Sequence, residues 1–271
     1  MNNYNECMQK VLTTIERELE YVTIEELIRV AGYSYYHFHR IFKAYTGESL
    51  KRYIKRLQLE KALQQMQIDR ENITQIAMKS GYNTPSSFNK AFKEMFGVNP
   101  SEYKQSLIPK RKLYKDIEPE QIVRVEPIEV YTIRHVGDYE KLDETWEKLM
   151  QFAGRNRLFN ADFYAYAIAY DNPDVSNSSQ LRYDACISAT KEVKLKCQEI
   201  QKKRLDGGKY AVFLHKGEHA KLIDTYDAIF GAWLYESSVV LRDALVFQKF
   251  LNDKREVEVD ELLTEVWVPL D

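Results

Sequence analysis

Arg40 stands where a side chain can read a nucleic acid. It lies in "GYSYYHFHRIFKAYTG" (32 to 47), with Tyr36 and His39 before it and Lys43 one turn on. At helical spacing these four share one side. Phe38, Ile41, Phe42 and Tyr45 fall at i, i+3, i+4 and i+7 on the other, which makes them a core stripe. An exposed guanidinium is a planar fork that matches guanine O6 and N7, and a tyrosine or histidine beside it can add apolar contact or single hydrogen bonds to base edges.

A different chemistry is concentrated near the other end of the chain. In "TEVWVP" (264 to 269) strand alternation puts Val266 and Val268 on one face, Glu265 and Trp267 on the other. In "FYAYAIAYD" (163 to 171) it sets Tyr164, Tyr166, Ile168 and Tyr170 against Ala165, Ala167 and Ala169. With the alanines and valines under helices, the free face is a groove of tyrosines, Trp267 and one carboxylate. Such a carboxylate must meet solvent, a partner or a ligand. Among aromatic rings it suits an organic cation, each ring adding about 0.5 to 2 kcal/mol.

The elements that position Arg40 occur twice. Ile24, Leu27, Gly32 and Tyr33 recur 49 residues later as Ile73, Ile76, Gly81 and Tyr82; Phe38, Arg40, Phe42 and Gly47 recur at an offset of 50 as Phe88, Lys90, Phe92 and Gly97. Each copy reads as helix, tight turn, helix, glycine stop, which is a helix-turn-helix. Residues 49 to 66, "SLKRYIKRLQLEKALQQM", read as one connecting helix that would space the motifs for successive major grooves, about 34 Å apart. In the second copy the exposed set is Pro85, Ser86, Ser87, Asn89 and Lys90, with Asn89 suited to adenine and Lys90 to guanine or phosphate. Lys43, Lys51, Arg52, Lys93 and Lys104 are expected at phosphates.

On these features residues 5 to 107 resemble the DNA-binding domain of the AraC/XylS transcription regulators. The carrying stretches are "IEELIRVAGYSYYHFHRIFKAYTG", the connecting helix and "ITQIAMKSGYNTPSSFNKAFKEMFGVNPSEYK". The resemblance implies double-stranded DNA as partner, with base contacts from Tyr36, His39 and Arg40, then Ser86, Ser87 and Lys90. It also implies activation of transcription and contact with RNA polymerase. Pro85 departs from the family's usual polar residue and Lys90 from its usual arginine, so weaker base discrimination is expected from the second copy.

The second half is duplicated too. "YTIRHVGDYEKLDETWEKL" (131 to 149) and "AVFLHKGEHAKLIDTYDAI" (211 to 229) match at an offset of 80, and the same offset carried onward sets "RYDACIS" (182 to 188) against "LLTEVWV" (262 to 268). Each unit reads as strand, helix, strand, strand. Two such βαββ units build one antiparallel sheet, or two apposed half-sheets, with helices over 139 to 154 and 219 to 234 on one face.

Residues 122 to 271 resemble the GyrI-like effector-binding domain, also found at the C-terminus of Rob-like members of the AraC family. The supporting stretches are "IRHVGDYEKLDETWEKL", "YDNPDVSNSSQLRYDACIS", "GGKYAVFLHKGEHAKLIDTYDAIFGAWLYES" and "EVWVPL". The resemblance implies a groove for a small lipophilic cation between the units, with Glu265 as its carboxylate. Trp146, Tyr166, Trp233 and Trp267 are the expected walls. Some domains of this type instead hydrolyse small molecules, with Glu265 then a general base, or bind proteins without any ligand.

The composition agrees with a multidomain chain: an all-α domain (1 to 107), a linker (108 to 121) and an α+β domain (122 to 271). Residues 1 to 115 hold 19 Lys+Arg against 12 Asp+Glu, while 116 to 271 hold 20 against 29, so a basic half precedes an acidic one. The change falls in "IPKRKLYKDIEPEQ". Cys7, Cys186 and Cys197 form neither a disulfide framework nor a zinc motif, and His135 and His215 occupy equivalent places in separate repeats. No nucleophile-base pair is evident, so neither catalysis nor a cofactor or metal is expected. Without a membrane-length apolar run or a signal core, a cytoplasmic location is expected.

Overall fold

The computed structural model describes residues 4–68, 72–111, 117–173, 176–195, 199–237 and 239–271. Lys112, Lys115 and Cys197 lie outside the described residues. Internal contacts divide the chain into two units, Met1–Pro109 and Lys110–Asp271.

The first unit contains α1 (Tyr4–Arg17), α2 (Ile24–Ala31), α3 (Tyr35–Thr46), α4 (Leu50–Ile68), α5 (Ile73–Lys79), α6 (Pro85–Phe96) and all but the last two residues of α7 (Pro100–Arg111). The helix-turn-helix copies are α2–α3 and α5–α6, joined by α4. Local sequence sets the boundaries. Thr23 caps α2 by accepting the Glu26 N–H, Asn72 and Gln75 cap α5 reciprocally, and Pro85 opens α6 behind its cap Thr84. Gly32 (φ 68°) and Gly81 (φ 78°) supply the left-handed backbone of the two turns.

Phe38 and Phe42 enter a core with Met8, Val11, Ile15, Leu27 and Leu57. In the second copy Phe88 and Phe92 are fully buried in a run of ring contacts from Tyr82 to Phe96. A buried ionic cluster, of which the sequence pattern gives no sign, ties the segment after α3 to α4. Arg56 donates to Glu48 at 3.0 Å and to Glu60 at 3.2 Å, and all three residues are buried.

The second unit contains β1 (Gln121–Val125), β2 (Ile128–Val136), β3 (Ala165–Ala169), β4 (Arg182–Ser188), β5 (Ile200–Leu205), β6 (Gly208–Lys216), β7 (Phe247–Phe250) and β8 (Leu263–Leu270). They form one antiparallel sheet in the order β1-β6-β8-β7-β3-β4-β2-β5. Helix α8 (Asp143–Arg155) packs on β2 and β4. Helix α9 (Leu222–Ala228) runs on through a π-helical turn, Ile229–Trp233, to Leu234–Glu236.

Two features go beyond the strand-helix-strand-strand reading. First, β1 and β5 are additional strands, and each pairs with the other repeat: β1 with β6, β5 with β2. Only Glu126 and Pro127 connect β1 to β2, so Val125 and Ile128 are at most about 11 Å apart although their strands are far apart in the sheet order. The sheet must therefore curl. Val123, Val125, Ile128, Val130, Leu205, Tyr210 and Val212 from both ends accordingly share one cluster on its concave face. Where the connections cross, a Cβ on Gly207 would meet Pro127 at 2.7 Å.

Second, the offset of 80 does not continue into the last strand. His135 pairs with Tyr183 and His215 with Thr264, so Tyr183 corresponds to Thr264 and Asp184 to Glu265, an offset of 81. One additional residue in the second copy is enough to exchange the faces of every side chain in an alternating strand. Among the described residues no helix is long and apolar enough to cross a membrane.

Candidate functional site

Helix α3 presents an aromatic and basic surface. Tyr36 is 82% exposed, and Tyr35, His37, Arg40 and Lys43 are also exposed. Tyr35 and His37 lie outside both the core stripe and the set at Tyr36, His39, Arg40 and Lys43, so helical spacing alone does not mark them. Among the described residues Arg40, Lys43, Lys51 and Lys90 enter no ion pair, so their charges face outward unneutralised. Two assignments change. His39 is half-buried, with its ring 4.5 Å from Tyr35 and 5.6 Å from Phe38 and its Nε2 buried without a hydrogen bond. The ring packs edgewise among these aromatic neighbours, which leaves only part of it on the exposed face. Tyr45, placed in the core stripe, is 40% exposed. The buried stripe narrows to Phe38 and Phe42.

On α6, Pro85, Ser86, Ser87, Asn89, Lys90 and Lys93 are all exposed. The Ser87 hydroxyl, however, donates to the Thr84 carbonyl at 2.8 Å and accepts from the Thr84 hydroxyl at 3.0 Å, which fixes it within the helix cap. Arg52 is exposed beside Glu48 at 3.8 Å, and Lys104, expected at a phosphate, is half-buried.

The concave face of the second unit carries the aromatic site. Glu265 of β8 lies directly across from Leu214 of β6 and Lys249 of β7, and Lys249 lies directly across from Tyr166 of β3. Residues directly opposite on antiparallel strands share a face, so these four form one row. Glu265 Oε2 accepts the Trp267 indole N–H at 2.9 Å. The indole stacks on Phe247 at 5.4 Å and meets Tyr210 at 5.8 Å; Tyr166 meets Phe247 at 6.0 Å. Trp267 and Tyr166 are buried, Glu265 and Lys249 are half-buried, and Leu214 and Tyr164 reach solvent at the rim. The Lys249 ammonium sits 3.9 Å from the centre of the Tyr164 ring. Burial in this row raises the Tyr166 phenol above its usual range.

The equivalent carboxylate of the first repeat, Asp184, is 2% exposed. It lies across from Arg134, the counterpart of Leu214, and Arg134 Nε and Nη2 both donate to it. Lys203 and the Tyr170 hydroxyl donate to its Oδ2 at 2.9 and 2.8 Å. Burial alone would raise the Asp184 carboxyl; the charges of Arg134 and Lys203 outweigh it and hold the group well below the usual carboxylate range. Arg134 also lies 4.5 Å over the Tyr170 ring.

Trp146 and Trp233, expected as groove walls, lie on the other side of the sheet. Trp146 of α8 packs against Tyr183 and Phe250 under the helices, and Trp233 against Phe213 at 4.8 Å. The bulky residue of an amphipathic helix belongs to the seam it covers, and that seam is the convex face. His135 and His215 are structural counterparts. Each ring contacts a helix threonine, Thr145 at 3.3 Å or Thr225 at 2.7 Å, and a carbonyl three residues on.

Residues 119–271 match the family model described as a GyrI-like small molecule binding domain, and residues 27–106 match one described as a helix-turn-helix domain. The Tn10 TetD protein of Escherichia coli is 33% identical over 100 residues, 36% of this chain and 72% of that protein. The HTH-type transcriptional activator AarP of Providencia stuartii is 29% identical over 100 residues, 36% of this chain and 74% of AarP. Among solved structures, EcmrR in its DNA complex aligns over 98% of this chain and 96% of its own, with 13% identity and a TM-score of 0.47.

Proposed function

Because the chain belongs to the AraC-type helix-turn-helix regulators and ends in a GyrI-like small-molecule-binding domain, we propose that it activates transcription in response to an effector bearing an organic cation. The observation that carries the DNA half is the outward, unneutralised set on α3. Arg40 reads a guanine, Tyr36 adds apolar contact to a neighbouring base, and Lys43, Lys51 and Arg52 hold phosphates. In α6, Asn89 and Lys90 face the duplex with Ser86 and Lys93. Ser87 acts there through the cap that orients the helix. AarP, named an activator, supports activation, and RNA polymerase is the partner proposed for it.

The effector's cation is held by Glu265, with Trp267, Phe247 and Tyr166 as the aromatic surround. To alter transcription, the effector must bind the two functional states unequally.

Selection of bound duplexes from a random pool, with and without a cationic dye, tests both halves. Arg40→Ala should relax preference at one base pair, and Lys51→Ala should weaken all duplexes alike. An unchanged preference in Arg40→Ala would refute the assignment of the reading face. A Glu265→Gln protein that responds to the dye as the parent does would refute the effector site.

A further inference from the structure

Glu265 shares its row with a charge of opposite sign. Lys249 is its direct cross-strand neighbour and also that of Tyr166, and its ammonium lies against the Tyr164 ring. Among the described residues neither Glu265 nor Lys249 takes part in an ion pair, and the carboxylate's bond is to the neutral indole of Trp267. The first repeat differs at both places. Its carboxylate is closed by Arg134 and Lys203, and the position equivalent to Lys249 is Ile168, which lies across from Asp184.

The second repeat therefore exposes a carboxylate and an ammonium side by side, each half-buried among aromatic rings and each without a charged partner. A simple cation would satisfy Glu265 but set a second positive charge beside Lys249 in a partly desolvated site, where like charges repel more strongly than in water. A molecule that also carries an acid satisfies both. Building on the effector reading above, we infer that the effector is an aromatic zwitterion. Its cationic group meets Glu265 under Trp267, and its carboxylate or similar acid meets Lys249 beside Tyr164. Facing Cβ atoms in such a pair are about 5 Å apart, so a single ring system spans the two charges.

A rhodamine free acid and its ethyl ester make a matched pair of probes, since both carry the same xanthene cation and only the first carries a carboxylate. Fluorescence anisotropy with the full chain should show the free acid binding about tenfold tighter than the ester. Lys249→Met should abolish that preference by weakening the acid alone, and Lys249→Arg should preserve it. Glu265→Gln should weaken both dyes. Near-ultraviolet circular dichroism checks that each variant keeps its aromatic packing.

Equal binding of acid and ester, or a preference indifferent to Lys249→Met, overturns the zwitterion. If Glu265→Gln still weakens both dyes in that case, the cation site itself stands. Failure of both dyes to bind, or binding indifferent to Glu265→Gln, overturns the effector site and the zwitterion together.

Discussion

Asp184 and Glu265 occupy the same place in the two repeats and have opposite surroundings. Asp184 faces Arg134 and reaches Lys203 and Tyr170; Glu265 faces Leu214 and touches the indole of Trp267. The difference shows that one duplicated scaffold gives a structural charge in one copy and an available charge in the other, through substitutions at two or three facing positions. The first unit repeats the lesson. Arg40 on α3 and Lys90 on α6 are equivalent, yet α3 adds exposed tyrosines whereas α6 opens with a proline and a serine held in its cap.

The largest test of this contrast is stability. Asp184→Ala removes a buried carboxylate and leaves the half-buried Arg134 and Lys203 without it, which should cost about 3 kcal/mol, read from the urea transition of the C-terminal unit. Glu265→Gln should change the same transition by less than about 0.5 kcal/mol. Equal losses would end the distinction between the two carboxylates. Next, Arg40→Ala should lose about 1 to 3 kcal/mol on a selected duplex, measured by titration at fixed salt, with a smaller loss for Lys90→Ala. If Lys90→Ala loses as much, the two reading helices are equivalent after all.

Leu214→Arg sharpens the comparison by construction, since it gives Glu265 the partner that Asp184 already has. Binding of a rhodamine dye should fall about tenfold, or about 1.4 kcal/mol, while thermal stability is kept or improved. Acid supplies the smallest effect. The folded-state carboxyl of Asp184 is held below its ordinary range, so its stabilisation is present above the unfolded value near 3.9 and is lost as pH falls below that. From about pH 5 to about pH 3 the parent should lose about 1 kcal/mol more than Asp184→Asn, measured by urea unfolding.

Much of this was legible in the sequence, for reasons tied to periodicity. The helix-turn-helix copies and their reading faces follow from the recurrence of Gly32 and Phe38 as Gly81 and Phe88, and from a 3.6-residue stripe. Glu265 could be found because a carboxylate interrupts an otherwise apolar alternation. Asp184 could not, since the groups that close it, Arg134 and Lys203, come from other strands. The one-residue slip before β7 also hid its equivalence to Glu265. Trp146 and Trp233 were misplaced for a related reason: residue type suggests an aromatic wall, but only packing tells which face of the sheet a helix covers. Strands β1 and β5 are short and interleaved with charges, so their alternation is weak until the partner strand is known.

The exchange of β1 and β5 between the repeats bears on how the second unit acquires its structure. Val125 of β1 has no strand beside it until Gly208 of β6 has been made, and β5 must travel back to β2. Neither repeat can therefore mature in order of synthesis, and the high mean sequence separation of these pairings favours slow folding. Severed between β4 and β5, a single repeat would hold an unsatisfied edge and an unplaced strand, the two halves of a domain swap. Expressed alone, it should assemble as a symmetric pair in which each copy completes the other.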